Sequence, residues 1–335
     1  MTMLGPPLWI SESDVVSMMD IGGAIGALER GLVAEAEGSA QNMIKTHVEW
    51  DGSTLHAIGA VFPGMGICGT KTWCHTAGGA TPLLILFDSN NGSLHAVIEA
   101  FALGQMRTAA ASGVATRWLA SADADEFAMI GTGKQAITQV AAVLAVRPIR
   151  HIHVFSRDET RRNQFVTRLR SEFQVEVSAA SSVRDAVKDS SIITVATRAT
   201  DPIVTADMIH TGAHINSVGA IVPSRAEIAQ DVLGRSTRIV ADSVPQAQQL
   251  SREMIEFFGK DPLKWSAVQP LAMVVANRSS RAASDDLTLF KALGVGISDL
   301  SLGIELYRKA RASGAGHQFP APQRVPPRLG SHCEN

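Results

Sequence analysis

The first third of the chain changes its hydrophobic pattern from helix-like to strand-like. Apolar side chains in residues 11–38 recur at close to helical spacing, and Ser11 or Ser13 can cap the first turn, so we predict a helix there. Residues 47–88 instead hold short apolar runs between Gly, Asp and Asn turn residues, a pattern that predicts strands. A closely packed helix rich in Ala, Ser and Thr is predicted over residues 105–120.

From residue 126 onward, short apolar runs alternate with helical stretches. The predicted strands are Phe127–Ile130, Ile152–Phe155, Val175–Val177, Ile192–Ala196, Ile215–Val218 and Ile239–Ala241. The predicted helices are Gln135–Ala145, Glu159–Phe173, Asp285–Leu293 and Ser298–Ala312. This alternation predicts an α/β fold with a Rossmann-type, doubly wound parallel sheet, and the different pattern before it predicts a smaller α+β domain. The Pro-rich segment from residue 314 is predicted to be a loose extension.

Composition adds limits to this picture. A chain of 335 residues is long for one core and suggests two domains, and its 45% apolar and 19% charged residues are normal for a globular protein. A net charge of −2 and 5% aromatic residues give no reason to expect nucleic acid or a membrane surface as a partner. Three cysteines (Cys68, Cys74 and Cys333) without a CxxC pair, and the lack of a signal-peptide pattern, predict a cytoplasmic protein.

A glycine-rich turn gives the strongest single indication of function. Gly131-x-Gly133-x-x-Ala136 follows an apolar strand and opens a helix. The first glycine permits a tight turn, the second lets a pyrophosphate approach the backbone, and the small Ala136 permits close helix–sheet packing. An ordinary glycine turn is the alternative, but the strand–turn–helix context favours dinucleotide binding at the helix N-terminus.

The end of the next strand predicts which dinucleotide binds. NAD-preferring folds usually place an acid there for the ribose 2′-hydroxyl, whereas this chain has Ser156 and Arg157. A hydroxyl and a guanidinium suit a 2′-phosphate, so we predict NADP(H) as the preferred cofactor, with NAD(H) possible. The alternative is that Asp158 is the ribose acid and Arg157 is a surface charge.

Three cations upstream are candidates for binding a substrate anion. Lys71 lies in a stretch of Gly, Cys and Thr beside Trp73, which favours a pocket lysine over the alternative of a solvent-facing strand lysine. Arg107 is predicted near the start of a tightly packed helix, where a guanidinium can clamp a carboxylate or form a surface salt bridge. Lys45 is a third cation upstream of the same region.

Other chemistry finds little support in the sequence. His75 and Cys74 are adjacent, so on a strand their side chains point to opposite faces. No other Cys or His shows ligand-like spacing, and we predict no metal site. His214 begins a predicted strand and is interpreted as structural, and no GxSxG or HExxH motif occurs.

Several segments together resemble the ornithine cyclodeaminase/μ-crystallin family. They run in family order over about residues 40–310, and their combination is much more specific than any one of them. The matching segments are Gly69-Thr70-Lys71, Leu86-Phe87-Asp88 with Gly92, Arg107 to Ser112, Gly131 to Ala136, Gly212 to Gly219, and Leu289 to Gly294.

The resemblance implies a homodimeric, nicotinamide-dependent enzyme. It implies that residues 1–122 with 297–335 form a substrate and dimerisation domain, and that residues 123–296 form the NAD(P)-binding domain. It also implies that Lys71 and Arg107 are catalytic residues that hold the substrate carboxylate, and that Lys45 stands where the family usually has arginine. The predicted cofactor contacts are Thr81, Arg107, Gly131, Gly133, Lys134, Gln135, Ala136, Ser156, Arg157, Thr197, Val218 and Gly219.

One departure from the family bears on the reaction. Ornithine cyclodeaminases carry an aspartate shortly after the segment that here ends at Gly219, and this chain has Ile221 there. Isoleucine neither accepts nor donates a proton, so ornithine cyclisation is disfavoured; the family's reductive members also lack the aspartate and tend to use NADPH. The sequence therefore predicts an NADPH-dependent reductase of carboxylate-bearing imines such as Δ1-pyrroline-2-carboxylate. The alternatives are a cyclodeaminase, an alanine-dehydrogenase-type amino-acid dehydrogenase, and a non-catalytic NADPH-binding protein like μ-crystallin.

Overall fold

The computed structural model describes residues 5–329, which form two β-sheets with helices packed against them. Cys333 and the outermost parts of the predicted first domain, 1–4 and 330–335, lie outside the described residues. Within residues 5–329, no helix combines the length and the apolar character that crossing a bilayer requires.

The elements are numbered along the chain. The strands are β1 (Leu8–Ile10), β2 (Gln41–Asn42), β3 (Thr46–Trp50), β4 (Ser53–Phe62), β5 (Ile67–Thr76), β6 (Gly79–Ala80), β7 (Leu83–Asp88), β8 (Leu94–Glu99), β9 (Glu126–Ile130), β10 (His151–Phe155), β11 (Glu176–Ala179), β12 (Ile192–Val195), β13 (His214–Ser217), β14 (Ser236–Ala241), β15 (Val268–Pro270), β16 (Leu287–Lys291) and β17 (His317–Gln318). The α-helices are α1 (Glu12–Met18), α2 (Ile21–Ala36), α3 (Phe101–Leu119), α4 (Ala136–Leu144), α5 (Glu159–Glu172), α6 (Val183–Val187), α7 (Gln230–Arg235), α8 (Val244–Leu250), α9 (Arg252–Phe258), α10 (Pro262–Trp265), α11 (Leu271–Ala276) and α12 (Gly296–Ser313).

The first sheet is mixed and has nine strands. Its strands lie in the order β17-β1-β8-β7-β5-β4-β2, with β3 paired to β4 and β6 paired to β5. All neighbours are antiparallel except β1 and β8, which are parallel. Helices α1, α2, α3 and α12 pack together on this part of the fold around one apolar core.

The prediction of one helix over residues 11–38 is wrong, because the chain forms two helices there. The first ends at Met18, and Met19 is extended. The Asp20 side chain then accepts a hydrogen bond from the Gly23 N–H at 2.7 Å and so caps α2. An aspartate at this position satisfies one of the N–H groups that a helix start leaves unpaired, so Asp20 was the local signal for the break.

Helix α12 returns from the end of the chain to pack on the first sheet. Its first residue, Gly296, lies so close to β4 that a Cβ there would stand 1.8 Å from the Gly59 carbonyl oxygen, an approach that only glycine permits. Ile58 of β4 pairs with Lys71 of β5. The close approach therefore brings the first turn of α12 beside the strand that carries Lys71.

The second sheet is a parallel sheet of eight strands and confirms the predicted fold class. Its strands lie in the order β11-β10-β9-β12-β13-β16-β14-β15, and every neighbouring pair is parallel. The chain leaves β9 towards β10 on one side and later returns to β12 on the other. In doubly wound sheets the ligand crevice lies outside the carboxyl ends of the strands at this reversal.

The prediction of a helix over Asp285–Leu293 is wrong, because this segment contains strand β16. All five residues of β16 are buried, and the strand lies between β13 and β14. A short, continuously apolar run has no periodicity that distinguishes a buried strand from a helix. Pairing with two neighbouring strands, which the local sequence does not show, decides the outcome.

His214 is fully buried, and we expect it to make the fold less stable in acid. Its Nδ1 lies 2.9 Å from Thr288 Oγ1 and its Nε2 lies 3.1 Å from Asn216 Oδ1. Burial lowers the pKa of His214 to about 3 from 6.5. Between about pH 6.5 and pH 3, only the unfolded chain then binds a proton at His214. The free energy of unfolding should therefore fall by up to about 1.4 kcal/mol for each pH unit below 6.5. Above pH 6.5 this residue should not affect it.

Denaturant unfolding of the wild type at pH 7, 6 and 5 measures this loss of stability. A His214→Gln variant, compared at the same pH values, should show a shallower dependence because its side chain does not titrate. A wild type that is as stable at pH 5 as at pH 7 would contradict the prediction.

Candidate active site

A cavity of about 880 Å³ opens at the carboxyl ends of the parallel strands. Its wall includes the residues that directly follow β9, β10, β12, β13 and β16. Arg107, Thr108 and Ala111 of α3 close the cavity on the side of the first sheet. Helix α3 begins at Phe101, so Arg107 lies in its second turn rather than at its start. The cavity therefore lies where a doubly wound fold binds its ligand.

The glycine-rich turn has the shape that a dinucleotide pyrophosphate needs. Gly131 has a φ angle of +107°, and a Cβ there would stand 2.4 Å from the backbone oxygen that follows β12. Apart from Gly133 and its two chain neighbours, no atom of residues 5–329 lies within 4 Å of the position of a Cβ on Gly133, so the space beside it is open. Lys134 and Gln135 also line the cavity, and the buried Ala136 begins α4. These predicted residues fit a phosphate group at the start of α4.

The end of β10 supplies guanidinium groups to the cavity. Ser156, Arg157 and Arg161 line it together with Asp158. The Asp158 carboxylate already makes two contacts with Arg161, since it accepts a hydrogen bond from the Arg161 N–H at 3.0 Å and lies 3.3 Å from Arg161 Nε. Arg157 is exposed and forms no ion pair within the described residues. The local geometry thus favours Arg157 over Asp158 as a ligand of the ribose end.

Glu227, which the sequence analysis missed, holds together the loops that follow β12 and β13. Its Oε1 accepts hydrogen bonds from the Thr197 N–H at 2.6 Å and the Thr197 hydroxyl at 2.8 Å. Its Oε2 accepts from the Gly219 N–H at 2.7 Å and the Ala220 N–H at 3.0 Å. Thr197, Val218 and Gly219 line the cavity, so the position of these three predicted contacts depends on a buried carboxylate.

A buried ion pair supports Glu227 from behind. Lys291 Nζ of β16 lies 2.6 Å from Glu253 Oε2 and 3.1 Å from Ser217 Oγ. Glu253 Oε1 accepts a hydrogen bond from the Glu227 N–H at 2.7 Å. Since a buried charge is tolerated only when it is paired and hydrogen-bonded, the lysine in the apolar run of β16 was the sequence signal for this network.

Lys71 and Arg107 are brought together by a carboxylate that the sequence analysis did not identify. Asp299, in the first turn of α12, accepts a hydrogen bond from Lys71 Nζ at 2.5 Å, and its Oδ1 lies 3.4 Å from Arg107 Nε. The side chains of Lys71 and Asp299 are 5% and 0% exposed, which excludes a solvent-facing lysine. Arg107 is 19% exposed and reaches the cavity wall.

The charges of this cluster change how readily Lys71 gives up its proton. Burial lowers the pKa of Lys71 to about 8; the Asp299 carboxylate opposes this shift, and the Arg107 and Lys45 cations add to it. Burial also lowers the pKa of Lys45, with Arg107 as the next cause. A group with a pKa near 8 can hold and release a proton close to neutral pH. The cluster can therefore bind an anion and move a proton.

A second carboxylate fixes the loop against which Arg107 packs. Asp242 accepts hydrogen bonds from the N–H groups of Leu293 and Gly294 at 2.9 and 2.7 Å, and burial raises its pKa. Gly294 has a φ angle of +85°, and a Cβ there would stand 2.6 Å from Arg107 Nη1. The positive φ angle therefore favours glycine at this position, and any larger side chain would also displace the Arg107 guanidinium.

Four predicted site residues do not line the cavity, namely Lys45, Thr81 and the buried Lys71 and Ala136. Thr81 is exposed in the segment before β7 and does not line the cavity, although the carbonyl oxygen of the adjacent Pro82 accepts a hydrogen bond from the Ala100 N–H beside α3. Lys45 also lies outside the wall, close to the charges of the Arg107 cluster. The role of Thr81 stays a prediction.

The profile of the Ornithine cyclodeaminase/mu-crystallin family matches residues 8–314. The chain belongs to this family. The resemblance stated from the sequence is thereby confirmed over nearly all of the chain, and the match includes the residues of both sheets up to β16 and helix α12.

Three family relatives are similar over most of this chain. The Delta(1)-pyrroline-2-carboxylate reductase of Bacillus cereus is 27% identical over 239 residues, which are 71% of this chain and 73% of that protein. The structure of Thermococcus litoralis Delta(1)-pyrroline-2-carboxylate reductase with NADH and L-proline has a TM-score of 0.86 and 27% identity, covering 93% of this chain and 100% of the other. An archaeal alanine dehydrogenase dimer with bound NAD has a TM-score of 0.86 and 25% identity, covering 94% and 99%.

Proposed function

We propose that this protein is an NAD(P)H-dependent oxidoreductase that reduces carboxylate-bearing imines, such as the cyclic ketimine Δ1-pyrroline-2-carboxylate, to the amino acid. The observation that carries the proposal is the Lys71–Asp299–Arg107 cluster, in which Arg107 lines a cavity that fits a dinucleotide and the buried Lys71 and Asp299 lie directly behind it. Two of the relatives are reductases of this substrate, which supports the choice of substrate class.

The residues of the cluster can be assigned to the steps of an imine reduction. A bound nicotinamide would supply the hydride that the imine carbon accepts. Arg107 pairs with the substrate carboxylate through its planar fork of N–H donors, and Lys45 adds a second positive charge. Lys71 gives a proton to the imine nitrogen, so one hydride and one proton convert C=N into CH–NH. Solvent returns the proton to Lys71 after each turnover.

Consumption of NADPH by the purified protein with Δ1-pyrroline-2-carboxylate, run beside NADH, tests the proposal. We expect rapid loss of NADPH with proline as the product. Turnover only with an open-chain keto acid and ammonia would instead indicate an alanine-dehydrogenase-type enzyme. Ammonia release from ornithine with tightly held NAD⁺ would indicate a cyclodeaminase, which Ile221 at the cavity wall disfavours. Cofactor binding without any turnover would indicate a binding protein.

We propose NADPH as the preferred cofactor, because Arg157 and Arg161 line the ribose end of the cavity. The two solved relatives contain NADH and NAD, so this preference rests on the residues of this chain. Arg157→Ala is expected to raise the KM for NADPH by roughly 10- to 100-fold and to change the KM for NADH little, because a hydrogen bond to a charged group contributes about 1.5–3 kcal/mol.

Steady-state kinetics with both cofactors check this prediction. The matched control is Arg150→Ala, which removes an arginine that is 81% exposed at the other end of β10. An equal rise of the KM for NADPH and NADH in Arg157→Ala would show that Arg157 does not distinguish the 2′-phosphate.

We also propose a homodimer that forms through the face of the first sheet carrying β3 and β4. Exposed apolar side chains cluster there, and Val48 pairs directly with Leu55, so both lie on one face. The alanine dehydrogenase relative is a dimer. Light scattering should give twice the chain mass of 35.5 kDa, and Val48→Asp with Leu55→Asp should shift the protein towards the monomer.

The predicted division of the chain and its location are kept as part of the proposal. All strands of the parallel sheet fall between Glu126 and Lys291, while α12 packs on the first sheet, which supports domains of 1–122 with 297–335 and of 123–296. The free thiols of Cys68 and Cys74 suit the cytoplasm.

A further inference from the structure

Three side chains that commonly bind metals meet at the amino ends of two strands of the parallel sheet. His151 and His153 are two residues apart on β10 and so point to the same face, and Glu126 of β9 pairs directly with His151. Glu126 Oε2 lies 2.8 Å from His153 Nε2 and 3.6 Å from His151 Nδ1. The prediction of no metal site from the sequence did not take this His-x-His pair into account.

The separation of these atoms matches a metal centre. In a tetrahedral zinc site with bonds of 2.0–2.1 Å, ligand atoms stand about 3.3–3.4 Å apart. The two measured separations from Glu126 Oε2 lie on either side of this value, and all three ligand atoms lie within 4.8 Å of one another. Small rotations of the side chains would therefore place the three atoms around a common centre.

A serine holds the two imidazole nitrogens that face away from the glutamate. Ser178 Oγ of β11 lies 3.0 Å from His151 Nε2 and 3.1 Å from His153 Nδ1. Metal-bound histidines usually donate their second N–H to an oxygen acceptor, which fixes the tautomer and the ring orientation. One hydroxyl oxygen has two lone pairs and can accept both N–H groups. The site thus contains the three ligands and the group that orients two of them.

We propose that Glu126, His151 and His153 bind a divalent transition metal ion, zinc, with water as the fourth ligand. Imidazole and carboxylate ligands suit zinc. Side-chain exposures of 34%, 28% and 20% leave room for the ion to enter and for the water to bind.

This site is separate from the proposed active site. The cavity lies at the carboxyl ends of β9 and β10, whereas the three ligands lie at their amino ends. Glu126 and Gly131 are five positions apart along the strand, which is about 16 Å at about 3.3 Å per residue. The ion would tie β9 to β10 in the half of the sheet that binds the dinucleotide, so it would stabilise the fold without contacting the substrate.

Titration of the chelator-stripped full-length protein with Zn²⁺, followed by competition with a chromogenic chelator, tests the site. We expect one bound equivalent per chain and a rise in Tm with zinc, because the ion binds only the folded site. Replacement by Co²⁺ should give the strong visible absorption of a tetrahedral centre. Zinc binding that is equally strong in a protein lacking both histidines would overturn the proposal.

The variants separate this site from other metal binding. His151→Asn with His153→Asn should abolish the bound equivalent and the cobalt absorption while leaving NADPH affinity and imine reduction unchanged. Ser178→Ala should weaken zinc binding by roughly 10-fold or more, as expected for loss of an orienting group. The control His317→Asn removes an exposed histidine of the first sheet and should bind zinc like the wild type. Equal zinc affinity in wild type and Glu126→Gln would also contradict the proposal.

Discussion

Lys71→Met is expected to lower kcat/KM for imine reduction by about 10²- to 10⁴-fold, the range of general acid catalysis. The substitution removes the buried ammonium that touches Asp299 but keeps a side chain of similar length. Arg107 stays 3.4 Å from Asp299 and continues to bind the substrate carboxylate, so NADPH affinity should be retained, whereas Tm should fall because the buried Asp299 loses its ion-pair partner. Steady-state kinetics, NADPH titration and Tm measure the three quantities.

A matched control and the pH profile distinguish a catalytic lysine from a structural one. Lys188→Met removes an exposed lysine and should leave kcat/KM unchanged. In the wild type, kcat/KM should be constant below about pH 8 and fall above it, because the pKa of Lys71 is lowered to about 8 and only the protonated form donates. Asp299→Asn removes the charge that raises this pKa, so the decline should begin at lower pH. Full turnover by Lys71→Met would exclude the proton-donor role.

Local signals in the sequence were enough to predict the parts of the site that short segments build. A tight turn between a strand and a helix needs glycine, so the strand–turn–helix pattern was enough to predict the roles of Gly131 and Gly133. The structure places both residues at the cavity. Ser156 and Arg157 follow a strand whose end was visible as an apolar run. These predictions depend on fewer than ten neighbouring residues, and tertiary packing does not change them.

The missed residues depend on contacts between distant parts of the chain. Asp299 meets Lys71 across 228 positions, and the close approach of Gly296 to Gly59 places the first turn of α12 beside β5. In the sequence, Glu227 is one polar residue among others in a loop. Its role becomes visible only in the folded chain, where the ends of β12 and β13 lie side by side. The strand β16 was predicted as a helix for the same reason, since its two neighbours are far away in sequence.

The proposed metal ligands could not be recognised from any one segment of the sequence. His151 and His153 stood two positions apart in the sequence, and a period of two places them on one face of a strand. Their significance appears only when β9 adds Glu126 and β11 adds Ser178 through the register of the parallel sheet. A search for ligand spacing within single segments therefore misses sites that neighbouring strands assemble.

Glu227→Gln is expected to raise the Kd for NADPH by roughly 10- to 100-fold. The carboxylate uses both oxygens to accept hydrogen bonds from four donors of Thr197, Gly219 and Ala220. An amide has one acceptor oxygen. In either orientation of the glutamine amide, its NH₂ group would therefore face two donors, either both groups of Thr197 or the N–H groups of Gly219 and Ala220. Each buried N–H left without an acceptor costs about 1–3 kcal/mol. The donors belong to the loops that follow β12 and β13, and these loops line the cavity.

Fluorescence titration with NADPH, together with Tm, separates positioning from stability in this variant. Glu227 is a positioning residue if NADPH affinity falls while the KM for the imine changes less, because Arg107 and Lys71 are untouched. The control Glu256→Gln alters an exposed glutamate on α9 that pairs with Arg252, and it should keep wild-type affinity. Displaced loops would bind the dinucleotide less tightly. A lower Tm with unchanged NADPH affinity would therefore show that Glu227 stabilises the fold but does not position the cofactor-binding loops.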